Sequence, residues 1–450
     1  MRLHEAALAL NARAIGPDVE FGAVASDSRN LLAGALFVAL RGERFDGHRF
    51  AAQALAQGAA AVMVDSQANL DLAPAIIVPD TRLALGQLAA WQRRRMPAKV
   101  LAITGSNGKT TVKEMLAAIL KRSAGESAVL ATVGNLNNDI GMPLTLLRLT
   151  PEHRYAVLEM GMNHPGELNY LSRLAQPDAA LVNNALRAHL AGLGSVEAVA
   201  KAKAEIYAGL KADGVALVNA DDPHAALLRA LAGSHRCVDF GLAQGDIRAD
   251  YRLHDFASDM TLHTPAGAVE LTLNVPGLHN VCNALAAAAM AHVAGVSRSD
   301  IGHGLAAYTG VKGRLQPHAC ILGARLIDDS YNANPDSVAA AIAVLAAQPG
   351  KRILALGDMG ELGAGAAGLH GEIGVSAKRA GIDRLLCLGE LTVHTVQAFG
   401  PGAMHFERIE ELLAELEQAL GPEVTVLVKG SRFMQMERVV KSFIEEHVCS

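Results

Sequence analysis

The feature that most constrains the fold of this chain is a glycine-rich turn between a short strand and a helix. Residues 100–104 (VLAIT) are typical of a buried strand, and residues 110–120 carry apolar side chains at helical spacing. Glycines let backbone N–H groups approach phosphate oxygens, and the start of a helix attracts negative charge. The turn therefore predicts a nucleotide site, built by Gly105, Ser106, Asn107, Gly108, Lys109, Thr110 and Thr111.

In this prediction Lys109 reaches the β- and γ-phosphates, and the Thr110 hydroxyl coordinates Mg²⁺. The loop is shorter than the general GxxxxGK[ST] pattern, because Ile103 occupies the position of the first glycine. The competing interpretation is an ordinary strand-to-helix turn with an exposed lysine. The combination of strand, glycines, lysine, threonine and helix favours nucleotide binding.

The rest of the chain alternates strand-like and helical segments. Strand-like runs occur at residues 36–40, 60–64, 76–78, 155–159, 179–183, 326–329, 352–357, 384–389 and 425–429. This rhythm predicts an α/β fold with parallel sheets covered by helices, whereas residues 249–276 predict an antiparallel insert or edge. The 450 residues exceed what one core usually serves, roughly 250–300, so we expect two or three domains. Boundaries near Pro97 and at residues 310–315 divide the chain into 1–98, 99–312 and 313–450.

Composition argues against several classes of protein. The formal net charge is −5 with no long basic run, so a nucleic-acid partner is not expected. The five cysteines lack metal-binding spacing and predict reduced, mostly buried thiols, at Cys237, Cys282, Cys320, Cys387 and Cys449. The first residues lack a secretion signal, and the apolar run 284–291 is too short to span a bilayer. We therefore expect a cytoplasmic protein without a membrane span.

Three side chains outside the glycine-rich turn are candidates for chemistry. Glu159 ends the strand 155–159, where a carboxylate can hold a metal near phosphates. His189 follows the next strand, and it is equally compatible with a metal ligand and with a hydrogen-bonded structural residue. Lys203 lies in the helical stretch 196–210, and composition alone predicts a solvated helix face for it.

Two polar segments admit both a structural and a functional interpretation. Asn280 stands near the start of an alanine-rich helix and is typical of a helix cap. Asp328, Asp329, Asn332 and Asn334 follow the strand 326–329. They form either a polar turn before a helix at 336–347 or a set of contacts to a ribose and a polar substrate.

Several segments, taken together and in order, resemble the Mur ligase family over essentially the whole chain. In the first hundred residues they are 28–29, 34–42 and 45–48. Further along they are TVGNLNNDIGMPLTLL (132–147), EMGMNHPGEL (159–168), DDSYNANPDS (328–337), GDMGELG (357–363) and KGSRFMQME (429–437). One such motif would be weak, but the ordered set is specific.

The resemblance implies a UDP-sugar-binding domain, a central ATPase and a C-terminal Rossmann-like domain. It implies that Thr110, Glu159 and His189 hold Mg²⁺ and that Lys203 is carbamylated. It further implies that Asn280 meets the adenine, Arg314 a phosphate and Asp329 the ribose of ATP. Substrate contacts are implied for Ser28, Arg29, Asp46, Gly47, His48, Asn137, Asn138, Asn332, Asn334, Lys429 and Ser431. Ala191 and Val133 depart from the family pattern, which has Glu and Pro there.

The implied activity is the ATP-dependent addition of D-alanyl-D-alanine to UDP-N-acetylmuramoyl-tripeptide through an acyl phosphate, a step of peptidoglycan precursor assembly. The implied partners are these two substrates, and we expect a monomer. The alternatives are a sister ligase that adds another amino acid, a folylpolyglutamate synthase, or a nucleotide-dependent switch that performs no synthesis. The amine that stimulates phosphate release separates them.

Overall fold

The computed structural model describes residues 1–43 and 45–444. Arg44 and residues 445–450 lie outside the described part, and the prediction of a reduced thiol at Cys449 falls there. The described residues form three α/β domains and a small antiparallel sheet. The prediction of a mixed α/β fold with parallel sheets is confirmed.

The N-terminal domain is a five-stranded sheet with helices packed on it. Its helices are α1 (Leu3–Ala9), α2 (Ala51–Ala56) and α3 (Thr81–Arg95). Its strands are β1 (Arg13–Ile15), β2 (Ala23–Ala25), β3 (Ala35–Val38), β4 (Arg41–Gly42), β5 (Phe45–Asp46), β6 (Ala61–Asp65) and β7 (Ala75–Val78). The order β1-β7-β6-β3-β2 is parallel except for β1, and β4 and β5 pair separately.

The central domain contains a six-stranded, fully parallel sheet in the order β13-β12-β11-β8-β10-β9. Its strands are β8 (Lys99–Thr104), β9 (Val129–Ala131), β10 (Tyr155–Glu159), β11 (Ala179–Val182), β12 (Val215–Asn219) and β13 (Arg236–Phe240). The helices between them are α4 (Lys109–Ala124), α5 (Gly141–Leu146), α6 (Glu167–Ala175), α7 (Leu190–Leu193), α8 (Val196–Ala204) and α9 (Ala225–Leu231). Because β11, β8 and β10 are neighbours, the loops that follow them meet at one edge of the sheet.

An antiparallel sheet and two helices complete the central domain. The strands are β14 (Arg248–Leu253), β15 (Ser258–Thr264) and β16 (Gly267–Leu273), followed by α10 (Leu278–Val293) and α11 (Arg298–Ala306). The antiparallel insert is therefore confirmed. All eight residues of the apolar run 284–291 are buried within α10, as expected of a core helix. Among the described residues, no helix is long and apolar enough to cross a membrane.

The C-terminal domain is a second six-stranded sheet, ordered β17-β18-β22-β19-β20-β21 and parallel except for β17. Its strands are β17 (Gln316–Ala319), β18 (Arg325–Asp329), β19 (Lys351–Gly357), β20 (Arg384–Leu388), β21 (Ala403–Phe406) and β22 (Val424–Lys429). Its helices are α12 (Pro335–Ala346), α13 (Ala366–Arg379), α14 (Thr392–Phe399), α15 (Ile409–Ala419) and α16 (Glu437–Phe443).

The N-terminal and central domains share a buried cation. Arg93, in the last turn of α3, has only 4% of its side chain exposed. Its Nε donates to the Ala175 carbonyl at 2.9 Å, and its guanidinium contacts the Asp178 carboxylate at 3.1 Å. A buried charge is costly unless it is paired and hydrogen-bonded, so these partners hold the two domains together.

Three local expectations are wrong. The helix predicted over 196–210 ends as an α-helix at Ala204 and continues as a 3₁₀ turn over Glu205–Gly209. Asn280 does not cap α10, since Gly277 occupies the N-cap position and Asn280 lies in the first turn. Cys320 and Cys387 are buried, but Cys237 and Cys282 are partly exposed, so the described thiols are not mostly buried.

Candidate active site

A cavity of about 1110 Å³ lies where the carboxyl ends of the central and C-terminal sheets face each other. Ligands of open α/β sheets usually sit at such edges. Of the predicted residues, its wall contains Ser106, Asn107, Gly108, Lys109, Thr110, Asn137, Asn138, Glu159, His189, Arg314, Asn332, Asn334 and Ser431. The N-terminal domain adds Asp80 and Arg82. All three domains therefore contribute to one site.

The glycine-rich turn joins β8 to α4, as the sequence predicted. Gly108 is the N-cap of α4 with φ of 80°, and a Cβ there would come within 2.2 Å of the Asn283 Oδ1. Only glycine therefore fits this position without rearrangement. The first turn of α4 presents backbone N–H groups and a partial positive charge to the cavity, which is the physical basis of phosphate binding.

Lys109 is half-buried, so the picture of an exposed loop lysine is wrong. Its amine donates to the carbonyls of Gly105 at 2.6 Å and Ser106 at 3.4 Å. Burial lowers the pKa of the Lys109 amine, and the neighbouring Glu159 carboxylate opposes that shift. The side chain lies folded over its own loop at the cavity wall.

A chain of asparagine amides holds the turn in place. Asn280 accepts from Asn283 at 3.1 Å, and Asn283 in turn accepts from Asn183 at 3.0 Å. Asn183 donates to the Asn107 carbonyl at 2.9 Å. Asn107 then pairs through its side-chain amide with Asn334 of the C-terminal domain, with contacts of 2.6 and 3.2 Å. The turn is thus connected both to α10 and to the opposite domain.

Glu159 ends β10 beside the turn and is buried. Its Oε2 accepts from the Thr110 hydroxyl at 3.0 Å, and its Oε1 accepts from the Asn137 amide at 2.8 Å. Its backbone N–H donates to the Thr132 hydroxyl at 3.0 Å, and the Thr132 carbonyl accepts from the fully buried Lys113 at 2.7 Å. The carboxylate and the Thr110 hydroxyl therefore form a pair of adjacent oxygen donors.

His189 lies at the cavity wall in the left-handed region, with φ of 56°. Its Nδ1 is 2.8 Å from Oε2 of Glu361, which belongs to the C-terminal domain. The nearby His189 imidazole lowers the pKa of the Glu361 carboxyl group. Nδ1 contacts Glu361 at ion-pair distance without a hydrogen bond of regular geometry, and Nε2 is the nitrogen left for a ligand.

Lys203 is 1% exposed, so the prediction of a solvated helix face is wrong. Burial lowers the pKa of its amine well below the usual value, and the charge of Lys109 lowers it further. Among the described residues, no carboxylate forms an ion pair with it. A buried ammonium without an anion is unfavourable, so this environment disfavours the charged form of Lys203 relative to a lysine in water.

No group of three or more His, Cys, Asp or Glu side chains in the described ranges is arranged to hold a metal ion. Glu159 and His189 alone do not form a closed metal cage. Mg²⁺ is usually held by one or two carboxylates together with substrate phosphates and water. The donors found here suit a cation that arrives with a nucleotide.

On the C-terminal side, two predicted residues form a buried ion pair. The Lys429 amine donates to the Asp329 carboxylate at 2.6 Å and to the Asn332 carbonyl at 2.8 Å. Burial raises the pKa of Asp329 and lowers that of Lys429, and their mutual attraction opposes both shifts. Arg314 stacks over the Tyr331 ring, 4.3 Å from its centre.

The polar segment after β18 forms the turn considered for it and also reaches the cavity wall, whereas its contacts to a ribose and a polar substrate stay a prediction. Asn334 caps α12 in a reciprocal arrangement with Ser337, and Asp328 accepts from Ser330 within the turn. The same segment contributes Asn332 and Asn334 to the cavity wall. Ser431 accepts from the Gly360 N–H at 2.7 Å and donates to the Ala333 carbonyl.

The predicted residues of the N-terminal domain lie away from the cavity wall. His48 is buried, its Nδ1 is 2.6 Å from Asp46, and its Nε2 accepts from the Asp65 N–H at 3.0 Å. A Cβ at Gly47 would meet the Leu40 backbone at 2.8 Å. Ser28 begins a 3₁₀ turn, in which the exposed Arg29 is bonded to Asp27. These contacts order the loops of this domain.

Six further predicted residues, all within the described ranges, are not part of the cavity wall: Gly105, Thr111, Lys203, Asn280, Asp329 and Lys429. Thr111 is buried. Sequence reasoning missed Asn183, Asn184, Asn283 and Glu361. The asparagine doublet directly after β11 was the one available signal, because amides at a strand's carboxyl end are placed to contact the neighbouring loop.

Comparisons with known proteins match this arrangement along nearly the whole chain. Residues 20–102 match the profile described as Mur ligase family, catalytic domain, residues 103–291 the Mur ligase middle domain, and residues 313–432 the Mur ligase, glutamate ligase domain. The UDP-N-acetylmuramoyl-tripeptide–D-alanyl-D-alanine ligase of Escherichia coli (strain K12) is 47% identical over 445 residues, covering 98% of this chain and 97% of that protein.

Two solved structures show the same three-domain architecture. The crystal structure of MurF from Acinetobacter baumannii is 38% identical, with a TM-score of 0.92 and 98% of each chain covered. The MurF ligase from Thermotoga maritima, solved in complex with ADP, is 27% identical, with a TM-score of 0.82, covering 93% of this chain and 96% of that one. Family profiles, sequence identity and architecture agree, and the chain belongs to the Mur ligase family.

Proposed function

We propose that this protein is the ATP-dependent ligase that joins D-alanyl-D-alanine to UDP-N-acetylmuramoyl-tripeptide in peptidoglycan precursor assembly. The observation that carries the proposal is the cavity itself, in which a phosphate-binding turn and a carboxylate face the polar edge of a second sheet. The full-length similarity to ligases of this name supports the choice of substrates. This similarity does not favour the alternatives, which are a sister ligase, a folylpolyglutamate synthase and a nucleotide-dependent switch.

The chemistry has two displacements. A carboxylate is a poor acyl donor, because the leaving group would be oxide. The terminal carboxylate oxygen of the tripeptide attacks the γ-phosphorus of ATP, and ADP leaves. The amine of D-alanyl-D-alanine then attacks the acyl carbon, phosphate leaves, and the amine loses a proton. The protein contributes mostly by positioning the reactants, neutralising charge and keeping water from the acyl phosphate.

ATP is assigned to the glycine-rich turn, with further contacts from Asn280, Arg314 and Asp329. The amine of Lys109 stabilises the charge that spreads over the transferring phosphoryl oxygens. Arg314 lies at the cavity wall beside Tyr331, which supports a phosphate contact. Asp329 is fixed by Lys429, which supports a contact to the ribose hydroxyls.

Thr110, Glu159, His189 and a modified Lys203 would hold Mg²⁺, which supplies positive charge to the phosphates when bound. The residues fit such a cation, because Thr110 and Glu159 offer adjacent oxygen donors and His189 keeps Nε2 available. Lys203 supports the fit in a different way. Its amine is buried without an anionic partner, and addition of CO₂ would convert it to a carbamate with two oxygen donors.

The remaining predicted residues are assigned to the other substrates. Ser28, Arg29, Asp46, Gly47 and His48 would receive the UDP moiety, with His48 ordering the loop rather than touching the ligand, since it is buried. The peptide substrates would contact Asn137, Asn138, Asn332, Asn334, Lys429 and Ser431. The domain bounds that we propose are 1–98, 99–312 and 313–450. We also propose that the enzyme is monomeric and cytoplasmic.

The direct test is product analysis by mass spectrometry after incubation with ATP, D-alanyl-D-alanine and UDP-N-acetylmuramoyl-tripeptides that carry lysine or diaminopimelate. We expect UDP-N-acetylmuramoyl-pentapeptide and one phosphate per product. Phosphate release that follows single amino acids or glutamate instead would assign a sister ligase or a folylpolyglutamate synthase. ATP turnover that ignores every amine would favour a switch.

Domain closure gives a prediction of its own, since the central and C-terminal domains meet through ionic contacts. The Arg187 guanidinium is 2.7 Å from Asp336 and 2.7 Å from Glu372 of the opposite domain. Small-angle scattering should show a smaller radius of gyration when a non-hydrolysable ATP analogue and the tripeptide are both bound. Arg187→Ala should lower the equilibrium constant for closure by about fivefold, because a partly exposed ionic contact contributes about 1 kcal/mol.

The matched control is Arg229→Ala, because Arg229 is similarly exposed and pairs with Asp239 within the central domain. This variant should compact like the unmodified protein. Unchanged dimensions of the unmodified protein at saturating ligands would count against closure.

A further inference from the structure

The segment GDMGELG, residues 357–363, has no role in the chemistry assigned so far, although it reaches the cavity. It follows β19 and is held firmly from both sides. The Met359 N–H donates to Nε2 of the buried His370 at 3.0 Å. The Gly360 N–H donates to the Ser431 hydroxyl at 2.7 Å. The residue that follows these two anchors is Glu361, which lies in the cavity wall.

Glu361 crosses to the central domain through two contacts. Its carbonyl accepts from the Ala191 N–H at 3.0 Å, and its Oε2 is 2.8 Å from Nδ1 of His189. Both Glu361 and His189 have positive φ, 62° and 56°. Non-glycine residues in this region are uncommon and cost about 1–3 kcal/mol each, so the surrounding contacts must hold them there.

Small residues allow this approach. Ala191 stands where the family pattern has Glu, and a Cβ on Gly363 would come within 3.2 Å of the Ala191 Cα. The loop therefore lies directly against the segment that contains His189. It brings a carboxylate to a histidine of the other domain without any bulky side chain between the two backbones.

A carboxylate next to one imidazole nitrogen favours the proton on that nitrogen, and the other nitrogen is then free to bind a cation. When Nδ1 carries the proton that faces the Glu361 carboxylate, Nε2 is an unprotonated acceptor on the opposite side of the ring. Histidines that ligate metals usually present their second N–H to a carboxylate or carbonyl. Since Glu361 comes from the C-terminal domain, this orientation exists only when the two domains are together.

We propose that Glu361 is a positioning residue that orients His189 for the cation of the central domain, so that domain closure completes the metal site. The inference rests on the proposed function, in which His189 holds Mg²⁺. It gives the GDMGELG segment a role in that function, which is to complete the cation site. Binding of the cation and closure of the domains are thereby coupled through the contact between Glu361 and His189.

The test measures cation binding rather than turnover, with Mn²⁺ as the probe and electron paramagnetic resonance as the readout, in the presence of ADP. Glu361→Ala should weaken Mn²⁺ binding by about tenfold or more, which is typical of losing a carboxylate behind a metal-bound histidine. Glu361→Gln should lose less, because its amide oxygen can still accept from Nδ1. Thermal unfolding should be unchanged, since 62% of the Glu361 side chain is exposed.

Glu372→Ala is the matched control for closure, because Glu372 joins the same two domains through Arg187 and does not contact His189. It should weaken Mn²⁺ binding less than Glu361→Ala does, because Arg187 keeps its contact with Asp336 and His189 keeps its contact with Glu361. In a His189→Ala background, Glu361→Ala should have almost no further effect, since the two residues act as one unit. Equal losses in the two glutamate variants, or additive losses with His189→Ala, would overturn the inference.

Mn²⁺ binding by the unmodified protein distinguishes a wrong role for Glu361 from a wrong cation site. If it binds Mn²⁺ with ADP and Glu361→Ala binds equally well, only the role of Glu361 is overturned. If the unmodified protein binds no Mn²⁺, the cation site itself is wrong, and the inference falls with it.

Discussion

Lys109→Ala should reduce ligation by about a thousandfold or more while the protein still folds. The lysine is assigned to the phosphates of ATP, where a missing positive charge leaves the transferring phosphoryl group poorly stabilised, and losses of this kind are commonly about 10²–10⁵-fold. The fold should survive, because the Lys109 amine bonds only carbonyls of its own loop. Product formation gives the rate, and thermal unfolding reports the fold.

Lys121→Ala is the control, because Lys121 lies near the end of the same helix, away from the cavity wall, and pairs with Glu126. It should ligate at the normal rate. Lys109→Arg should not restore activity, since a planar guanidinium does not replace a compact ammonium over a tight loop. Near-normal ligation by Lys109→Ala would remove the loop from the mechanism.

Lys203→Ala should also lose most activity, about a hundredfold or more, on the scale of losing one preorganised charged group. Acetate or another short carboxylate should restore part of it by occupying the space that the carbamate vacates. Lys203→Met should show no such rescue, because its side chain fills the space. With ¹³C-labelled bicarbonate, the unmodified protein should show a carbamate carbon resonance that Lys203→Ala lacks.

Lys201→Ala provides the comparison on the same helix. Lys201 is 57% exposed and pairs with Glu197 one turn earlier, so its removal should leave ligation unchanged. Full activity in Lys203→Ala, or the same carbon resonance in both proteins, would return Lys203 to a purely structural role.

The elements that sequence predicted well are those whose signal is local. The turn at Gly108 is encoded by a strand, a glycine, a lysine and a helix within a few residues, and the structure has them in that order. Glu159 was selected because it ends a predicted strand, and the structure places that strand next to β8 in the sheet. The antiparallel insert was found because its side chains alternate along each strand.

The misses depend on contacts between distant parts of the chain. Lys203 has the composition of a surface helix, and its burial follows from how α8 packs beneath the site, which no local pattern reports. The contact between Glu361 and His189 joins residues from different domains. Similarly, the asparagine chain to the turn draws on α10 and on the loop after β11. Periodicity cannot predict such pairings, because it carries no information on which loops meet.

The buried Arg93 has a consequence for how such a chain can change by recombination. Its guanidinium donates to the carbonyls of Ala175 and Gln176 and to the Asp178 carboxylate, which all lie beyond the boundary at Pro97. Asp178 also accepts from the Val100 N–H and the Lys211 amine. An N-terminal module taken from a relative that lacks this arginine would leave Asp178 with one cation fewer and a gap under α3. Crossovers that inherit Arg93 and Asp178 from one parent keep the joint intact, although the two residues lie on opposite sides of the linker.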